Sequence, residues 1–162
     1  MSERTASGTL VRPGEPAPPF TLPAVLDGGE QITVTVPQAA SGPTLLLFYQ
    51  DDGMPVCTSA LKAFAQEYPL LRSAGVDVYA INTNGLGSHA KFHERDHYPF
   101  PLISDFYGEA VKAYGLWDPE EQKSRRAVVV IGADGRVTFV QPHFNPGNVN
   151  AIVEVFQALG LA

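Results

Sequence analysis

Hydrophobic positions in this chain fall into two kinds of pattern, short continuous runs and longer stretches with helical spacing. The clearest run, residues 44–49, is apolar at almost every position and follows Gly42-Pro43. Runs of this kind are typical of strands that are buried on both faces of a parallel sheet. Residues 76–82 and 127–131 have the same character. These three runs predict the centre of a β-sheet.

A helical pattern follows the first run. Its apolar positions fall on one face at Leu61, Phe64, Tyr68 and Leu71. The pattern predicts a helix that begins at Cys57, is kinked by Pro69 and ends at Gly75. Further helices are predicted over residues 88–95, 108–114 and 148–159.

Glycine-containing turns indicate two hairpins. Asp27-Gly28-Gly29 precedes an alternating strand at 32–36, and residues 132–135 join 127–131 to a strand at 136–140. A short strand is also predicted at 101–103. The order of elements predicts an α/β fold in which helices flank both faces of a central mixed β-sheet, with an N-terminal β-hairpin extension. We expect residues 1–162 to form a single domain with an irregular lead-in at 1–13.

Composition narrows the function classes. Hydrophobic residues make up 44% of the 162 residues and charged residues 17%, as in an ordinary globular domain. The net charge of −6 argues against nucleic acid or an anionic membrane as a partner. No apolar run approaches the length of a membrane span, and the N-terminal segment lacks the apolar core of a secretory signal. We therefore expect a cytoplasmic protein.

The single cysteine, Cys57, is the first candidate for chemistry. It follows the loop after a predicted central strand and begins a helix, where free backbone N–H groups favour a thiolate. Position alone leaves three interpretations open: an inert buried thiol, a reactive thiol, or an intermolecular disulfide. Arg126 opens the strand at 127–131, from where a guanidinium can lower the pKa of a nearby thiol. The alternative is that Arg126 is simply solvated.

Several segments together resemble the peroxiredoxins of the alkyl hydroperoxide reductase and thiol-specific antioxidant superfamily, and most closely their bacterioferritin-comigratory branch. Residues 14–22 resemble the family's Gly-x-x-Ala-Pro-x-Phe-x-Leu opening. Residues 55–58 resemble its Pro-x-Cys-Thr motif, and 100–105 its Phe-Pro-Leu-Leu-Ser-Asp segment. The Ala-Tyr-Gly at 113–115 and Arg126 with its strand follow in the family's order.

The resemblance implies a thioredoxin-like fold and a thiol peroxidase. Cys57 would be the peroxidatic residue, whose thiolate becomes a sulfenic acid, and Arg126 would stabilise the thiolate and the displaced oxygen. The substrate would be a hydroperoxide, and the substrate site would include Tyr49, Met54, Pro55 and Val56. No cofactor or metal is implied. Without a second cysteine, the enzyme would be of the one-cysteine type and would need an external reductant, either a thioredoxin-like protein or a low-molecular-weight thiol. We expect a monomer or a homodimer.

The active loop departs from the family pattern Pro-x-x-x-Thr-x-x-Cys. Gln50 stands at the proline position and Met54 at the threonine position. A methionine thioether donates no hydrogen bond, and losing one such donor typically slows a reaction by about 10²- to 10³-fold. Asp51 and Asp52 could also oppose ionisation of the thiol. Two outcomes stay open: a slow peroxidase that favours bulky organic hydroperoxides, or a catalytically weak or inactive thioredoxin-fold protein that senses oxidants or binds partners.

Two further functional interpretations, a zinc site and a thiol–disulfide oxidoreductase, have less support in the sequence. His89, His93 and His97 are spaced four apart, as zinc ligands on a helix can be. Interleaved charged residues favour a solvated helix face instead. A thiol–disulfide oxidoreductase is disfavoured because the chain has no Cys-x-x-Cys motif. Residues 115–119, around Trp117, are expected to form a loop.

Overall fold

A computed structural model describes residues 9–38 and 42–162, and within these ranges it contains nine strands and five helices. The strands are β1 (Phe20–Val25), β2 (Gln31–Val36), β3 (Thr44–Phe48), β4 (Asp77–Asn82), β5 (Leu102–Ser104), β6 (Trp117–Asp118), β7 (Lys123–Ser124), β8 (Ala127–Ile131) and β9 (Val137–Gln141). The helices are α1 (Pro55–Gln66), α2 (Tyr68–Ser73), α3 (Leu86–Asp96), α4 (Glu109–Ala113) and α5 (Val149–Ala158).

Seven of the strands form one mixed sheet in the order β2-β1-β5-β4-β3-β8-β9. Strands β3, β4 and β5 run parallel to one another, because helices connect them across the sheet. The hairpins β1–β2 and β8–β9 pair antiparallel at the two sides. The predicted mixed sheet and its N-terminal hairpin are therefore confirmed.

The central strand β3 is buried at all five positions, and its successive side chains enter two different cores. Leu45 and Leu47 pack with the apolar residues of α1, α2, α3 and α5. Leu46 and Phe48 pack on the opposite face with α4 and the N-terminal lead-in. Helices thus cover both faces of the sheet, as predicted.

The first helix differs from its prediction at both ends. It begins at Pro55, so Cys57 is its third residue, and it ends at Gln66 instead of continuing through Pro69. Proline has no N–H to donate and clashes with the carbonyl four residues earlier, so the helix stops and α2 begins, with Pro69 in its first turn. Gly75 adopts a left-handed φ of 79° just beyond α2, which confirms the predicted end.

The segment around Trp117 is a short two-stranded hairpin, β6–β7, and not a loop. Residues 9–13 are irregular, as predicted, but part of this segment is buried in the core. Val11 is buried in the core and its backbone N–H donates to the carbonyl of Tyr114 (3.2 Å). Residues 1–8 of the predicted lead-in lie outside the described residues. In the described part of the chain, no helix has both the length and the apolar character needed to cross a bilayer.

Strand directions bring the candidate residues to one edge of the sheet. The parallel strands β3, β4 and β5 end there. Strand β8 begins there, because it is antiparallel to β3 with Phe48 opposite Ala127. The residues that follow β3 therefore face Arg126, which precedes β8.

Candidate active site

Cys57 lies in the first turn of α1 and has no solvent-exposed surface. Its Sγ accepts a hydrogen bond from the backbone N–H of Gln50 at 3.4 Å. As a thiol, it has two possible acceptors, Gln50 Oε1 at 3.9 Å and Met54 Sδ at 3.8 Å. The sulfur therefore sits beneath the loop that joins β3 to α1.

Arg126 is held in place by the backbone and reaches toward this loop. Its Nε donates to the carbonyl of Phe144 (2.7 Å), and Phe144 N–H donates back to the carbonyl of Arg126 (2.9 Å). Its Nη1 donates to Gln50 Oε1 (3.0 Å). Two donors of the planar guanidinium are thus used in different directions, which fixes the group next to Gln50, the residue that contacts Cys57.

Gln50 links the two candidate catalytic residues, and the sequence analysis did not predict this link. Its carboxamide oxygen lies 3.0 Å from Arg126 Nη1 and 3.9 Å from Cys57 Sγ. A residue directly after a central strand, opposite the start of an antiparallel neighbour, is the signal that could have identified it.

The other residues predicted for the substrate site lie in different settings. Met54 is half-buried, precedes α1, and makes no side-chain hydrogen bond to cap it. Val56 is half-buried and Pro55 is exposed. Tyr49 is fully buried, and its hydroxyl donates to Asp52 (2.6 Å), so it supports the loop from below. Burial and the neighbouring Asp52 carboxylate raise the pKa of Tyr49 well above its ordinary value.

Asp52 is the centre of a polar network that holds the loop. Its carboxylate accepts from Tyr49, from Ser88 (2.8 Å), and from His89 Nδ1 (2.6 Å). Its backbone N–H donates to Asn84 Oδ1 (2.7 Å). Burial raises the pKa of Asp52, but the hydrogen bonds from His89, Tyr49 and Ser88 outweigh it and leave the pKa below its ordinary value.

The sequence suggested that Asp51 and Asp52 could oppose ionisation of the thiol, but in the structure both carboxylates have other partners. Asp52 is occupied by its own network, and Asp51 forms an ion pair with Lys123 from β7. The Asp51 carboxylate raises the pKa of Lys123. Both negative charges are thus compensated locally.

The predicted solvated histidine face of α3 is wrong for two of its three residues. His89 and His93 have no exposed surface, and only His97, beyond the helix end, is exposed. His89 Nε2 donates to the carbonyl of Ile103 (3.0 Å) while Nδ1 faces Asp52. Phe92 is buried with them, and the spacing of 89, 92 and 93 marks a buried helix face that the sequence pattern already contained. Both ring nitrogens of His89 are thus engaged, and across 9–38 and 42–162 no group of three or more His, Cys, Asp or Glu side chains could hold a metal ion.

The arrangement is suited to chemistry on sulfur. A thiol in the first turn of a helix meets free backbone N–H groups and the positive end of the helix dipole. A guanidinium held in a fixed direction can stabilise negative charge that develops on an oxygen near the sulfur. The Met54 thioether adds an apolar contact but no hydrogen-bond donor.

Comparison with known proteins agrees with this arrangement. The sequence matches the AhpC/TSA family over residues 13–140. It is 28% identical over 149 residues to Peroxiredoxin Bcp of Escherichia coli K12, covering 88% of this chain and 93% of that protein. It is 27% identical over 154 residues to Peroxiredoxin 2 of Thermoplasma acidophilum, covering 90% of this chain and 75% of that protein.

Solved structures show the same fold. The reduced 2-Cys peroxiredoxin of Plasmodium vivax superimposes with a TM-score of 0.81 at 23% identity, covering 94% of this chain and 82% of that one. AhpC of Mycobacterium tuberculosis gives a TM-score of 0.79 at 20% identity, with coverages of 93% and 99%. These likenesses confirm the predicted thioredoxin-like fold.

Proposed function

Because the chain belongs to the AhpC/TSA family, it is a peroxiredoxin-type thiol peroxidase, and we propose that Cys57 alone carries its redox chemistry. The observation that carries this proposal is the placement of the Cys57 sulfur in the first turn of α1, next to a residue bound by Arg126. The described chain holds a single free cysteine, and the full sequence has no other.

In the proposed reaction, the Cys57 thiolate attacks one oxygen of a hydroperoxide. An S–O bond forms as the O–O bond breaks, which gives a cysteine sulfenic acid and an alkoxide or hydroxide that takes up a proton. Arg126 stabilises the charge on the departing oxygen. Met54, Pro55 and Val56 form the surroundings of the substrate, and the buried Tyr49 contributes to the site by holding the loop through Asp52.

The sulfenic acid is then reduced from outside the protein. A first external thiol forms a mixed disulfide with Cys57 and releases water, and a second thiol attacks that disulfide to restore Cys57. The reductant is a thioredoxin-like protein or a low-molecular-weight thiol. We place the reaction in the cytoplasm, where such thiols are kept reduced, and in a monomer or homodimer.

The complete burial of Cys57 favours a second candidate, a catalytically weak or inactive protein that senses oxidants or binds partners. A buried sulfur is reached by peroxide only slowly, and the Met54 thioether has no hydrogen-bond donor to bind the peroxide. A sensor of this kind would be oxidised once for each stimulus and would not turn over.

Peroxide consumption separates the candidates. With dithiothreitol as the external thiol, the wild-type chain should consume hydrogen peroxide or an organic hydroperoxide over many turnovers, and Cys57→Ser should not. Consumption by the wild type that is no faster than by Cys57→Ser would rule out the peroxidase. A single stoichiometric oxidation of Cys57 without turnover would support the sensor.

A further inference from the structure

The carboxamide oxygen of Gln50 lies close both to Arg126 and to the sulfur of Cys57. Its Oε1 is 3.0 Å from Arg126 Nη1 and 3.9 Å from Sγ, and its backbone N–H is 3.4 Å from Sγ. Cys57 has no exposed surface beneath it. This carboxamide oxygen accepts a hydrogen bond from the same guanidinium that would donate to a peroxide oxygen during attack.

The reaction needs this same space. A thiolate attacks an oxygen that lies about 3–3.5 Å away, and the departing oxygen gains most from a donor already aimed at it. With Gln50 in place, Arg126 Nη1 already donates one hydrogen bond to Oε1, and the sulfur has no exposed surface.

We propose that Gln50 is a displaceable plug, whose carboxamide must leave Arg126 before a hydroperoxide can reach Cys57; the identity of that substrate rests on the proposed function. The side chain would therefore set the accessibility of the thiol. Substrates would be selected by their ability to replace an amide oxygen on the guanidinium.

The bonding of Gln50 allows it to move alone. Within residues 9–38 and 42–162, its Nε2 makes no hydrogen bond, so its carboxamide is held by Arg126 and by the weak contact with the thiol. The residue is half-buried and has solvent beside it. Arg126 would stay in place when Gln50 leaves, because its Nε remains bonded to the carbonyl of Phe144.

Met54 covers the sulfur without playing the same part. Its Sδ contacts Sγ at 3.8 Å, but it makes no bond to Arg126. Moving Met54 would uncover the thiol while leaving the guanidinium occupied. The competition with substrate for Arg126 is therefore specific to Gln50.

Two substitutions in the full chain should act in opposite directions. Gln50→Ala removes the plug, whereas Gln50→Glu replaces the amide with a carboxylate that binds a guanidinium more strongly. We would measure second-order rate constants of Cys57 with iodoacetamide and with hydrogen peroxide over a range of pH, and express both per thiolate. Breaking a hydrogen bond to a charged group corresponds to about a tenfold or larger factor. Gln50→Ala should therefore react about tenfold faster with both reagents, and Gln50→Glu should react more slowly.

Gln66→Ala, an exposed position on α1, is the matched control and should leave both rates unchanged. Alkylation of Gln50→Ala at the wild-type rate or below would overturn the plug. Slower peroxide oxidation with unchanged alkylation would overturn it too, since Gln50 would then assist the peroxide. Faster alkylation, with peroxide oxidation no faster than that of a free thiol in every variant, would support the plug and reject the peroxidase.

Discussion

The proposed role of Arg126 depends on the direction of its hydrogen bonds as well as on its positive charge. Its Nε is bound to the Phe144 carbonyl at 2.7 Å and its Nη1 to Gln50 Oε1 at 3.0 Å, so two donors of one planar group are used at once. A lysine ammonium is a compact charge on a flexible stem and cannot reproduce a two-directional fork. The position therefore requires arginine in particular.

Arg126→Lys tests this requirement. The substitution keeps the positive charge but loses the fixed direction, so oxidation of Cys57 by hydrogen peroxide should slow about tenfold or more. Alkylation by iodoacetamide should not slow, because it produces no departing oxygen for Arg126 to stabilise. Arg125→Lys, one residue earlier, should match the wild type in both reactions. Equal oxidation rates in Arg126→Lys and wild type would exclude the assigned role.

At the scale of elements, α3 is fastened to the sheet by buried polar groups as well as by Phe92. His93 donates from Nε2 to the carbonyl of Val25 in β1 (2.8 Å), and its Nδ1 has no partner among the described residues. Burial lowers the pKa of His93, and it outweighs the opposing influences of the Val25 carbonyl and nearby Asp27. The imidazole therefore resists protonation in the folded state.

This shift predicts a stability that falls as the solution is acidified. In the unfolded chain, His93 takes up a proton near its ordinary pKa of about 6.5, whereas the folded chain does not. The unfolded state then binds more protons, so the free energy of unfolding should drop below about pH 6.5 by up to about 1.4 kcal/mol per pH unit from this residue. The lowered pKa of Asp52 also makes the free energy of unfolding fall on acidification, but only below about pH 4.

Urea unfolding at pH 7.5 and pH 5.5 measures the effect. His93→Gln should show a smaller difference between the two pH values than wild type, whatever its own stability. His143→Gln, at an exposed position, should keep the wild-type difference. An unchanged difference in His93→Gln would contradict the assignment.

The same helix shows which features a sequence can reveal. Apolar periodicity located the central strands and most helices to within a few residues, because burial on a sheet imposes that periodicity. The spacing of His89, Phe92 and His93 fits a buried helix face, but the polarity of His89 indicated exposure, since its partner Asp52 lies 37 residues away in sequence. Polarity alone predicts exposure until such a partner is known.

At the scale of the whole molecule, the backbone of the N-terminal lead-in packs directly against Gly115. This residue has a φ of 76°, and a Cβ added to it would lie 2.3 Å from Leu10 N and from Thr9 C. Both the conformation and the close approach of the backbone require glycine. The lead-in cannot pack with Val11 in the core unless position 115 has no side chain.

Gly115→Ala should therefore displace the lead-in and destabilise the protein by about 2–3 kcal/mol. Gly160 offers a matched control, because it has the same φ of 76° but nothing within 4 Å of an added Cβ. Gly160→Ala should cost only about 1 kcal/mol, the strain of the left-handed conformation. Chemical denaturation of both variants makes the comparison. Equal losses would mean that the close approach is relieved without moving the lead-in.

The placement of Cys57 and Arg126 at the same edge of the sheet could be predicted because it follows from topology. A residue after β3 and a residue before β8 must share an edge once the two strands pair antiparallel. The position of the Gln50 carboxamide could not be predicted in the same way, since it depends on side-chain rotamers in an irregular loop. The sequence marked Gln50 only as a departure from a family pattern.

Cys57 belongs to the same packed cluster as Leu45, Leu61 and Phe64, and this membership has a consequence for the proposed cycle. Converting a thiol to a sulfenic acid adds an oxygen atom to a closely packed cluster, and protein interiors have few voids that could take up such an atom. In packing terms, each oxidation is a small-to-large substitution that reduction then reverses. The first turn of α1 would have to swell and recompact with every turnover, so the resistance of the core to expansion would itself help to set the rate.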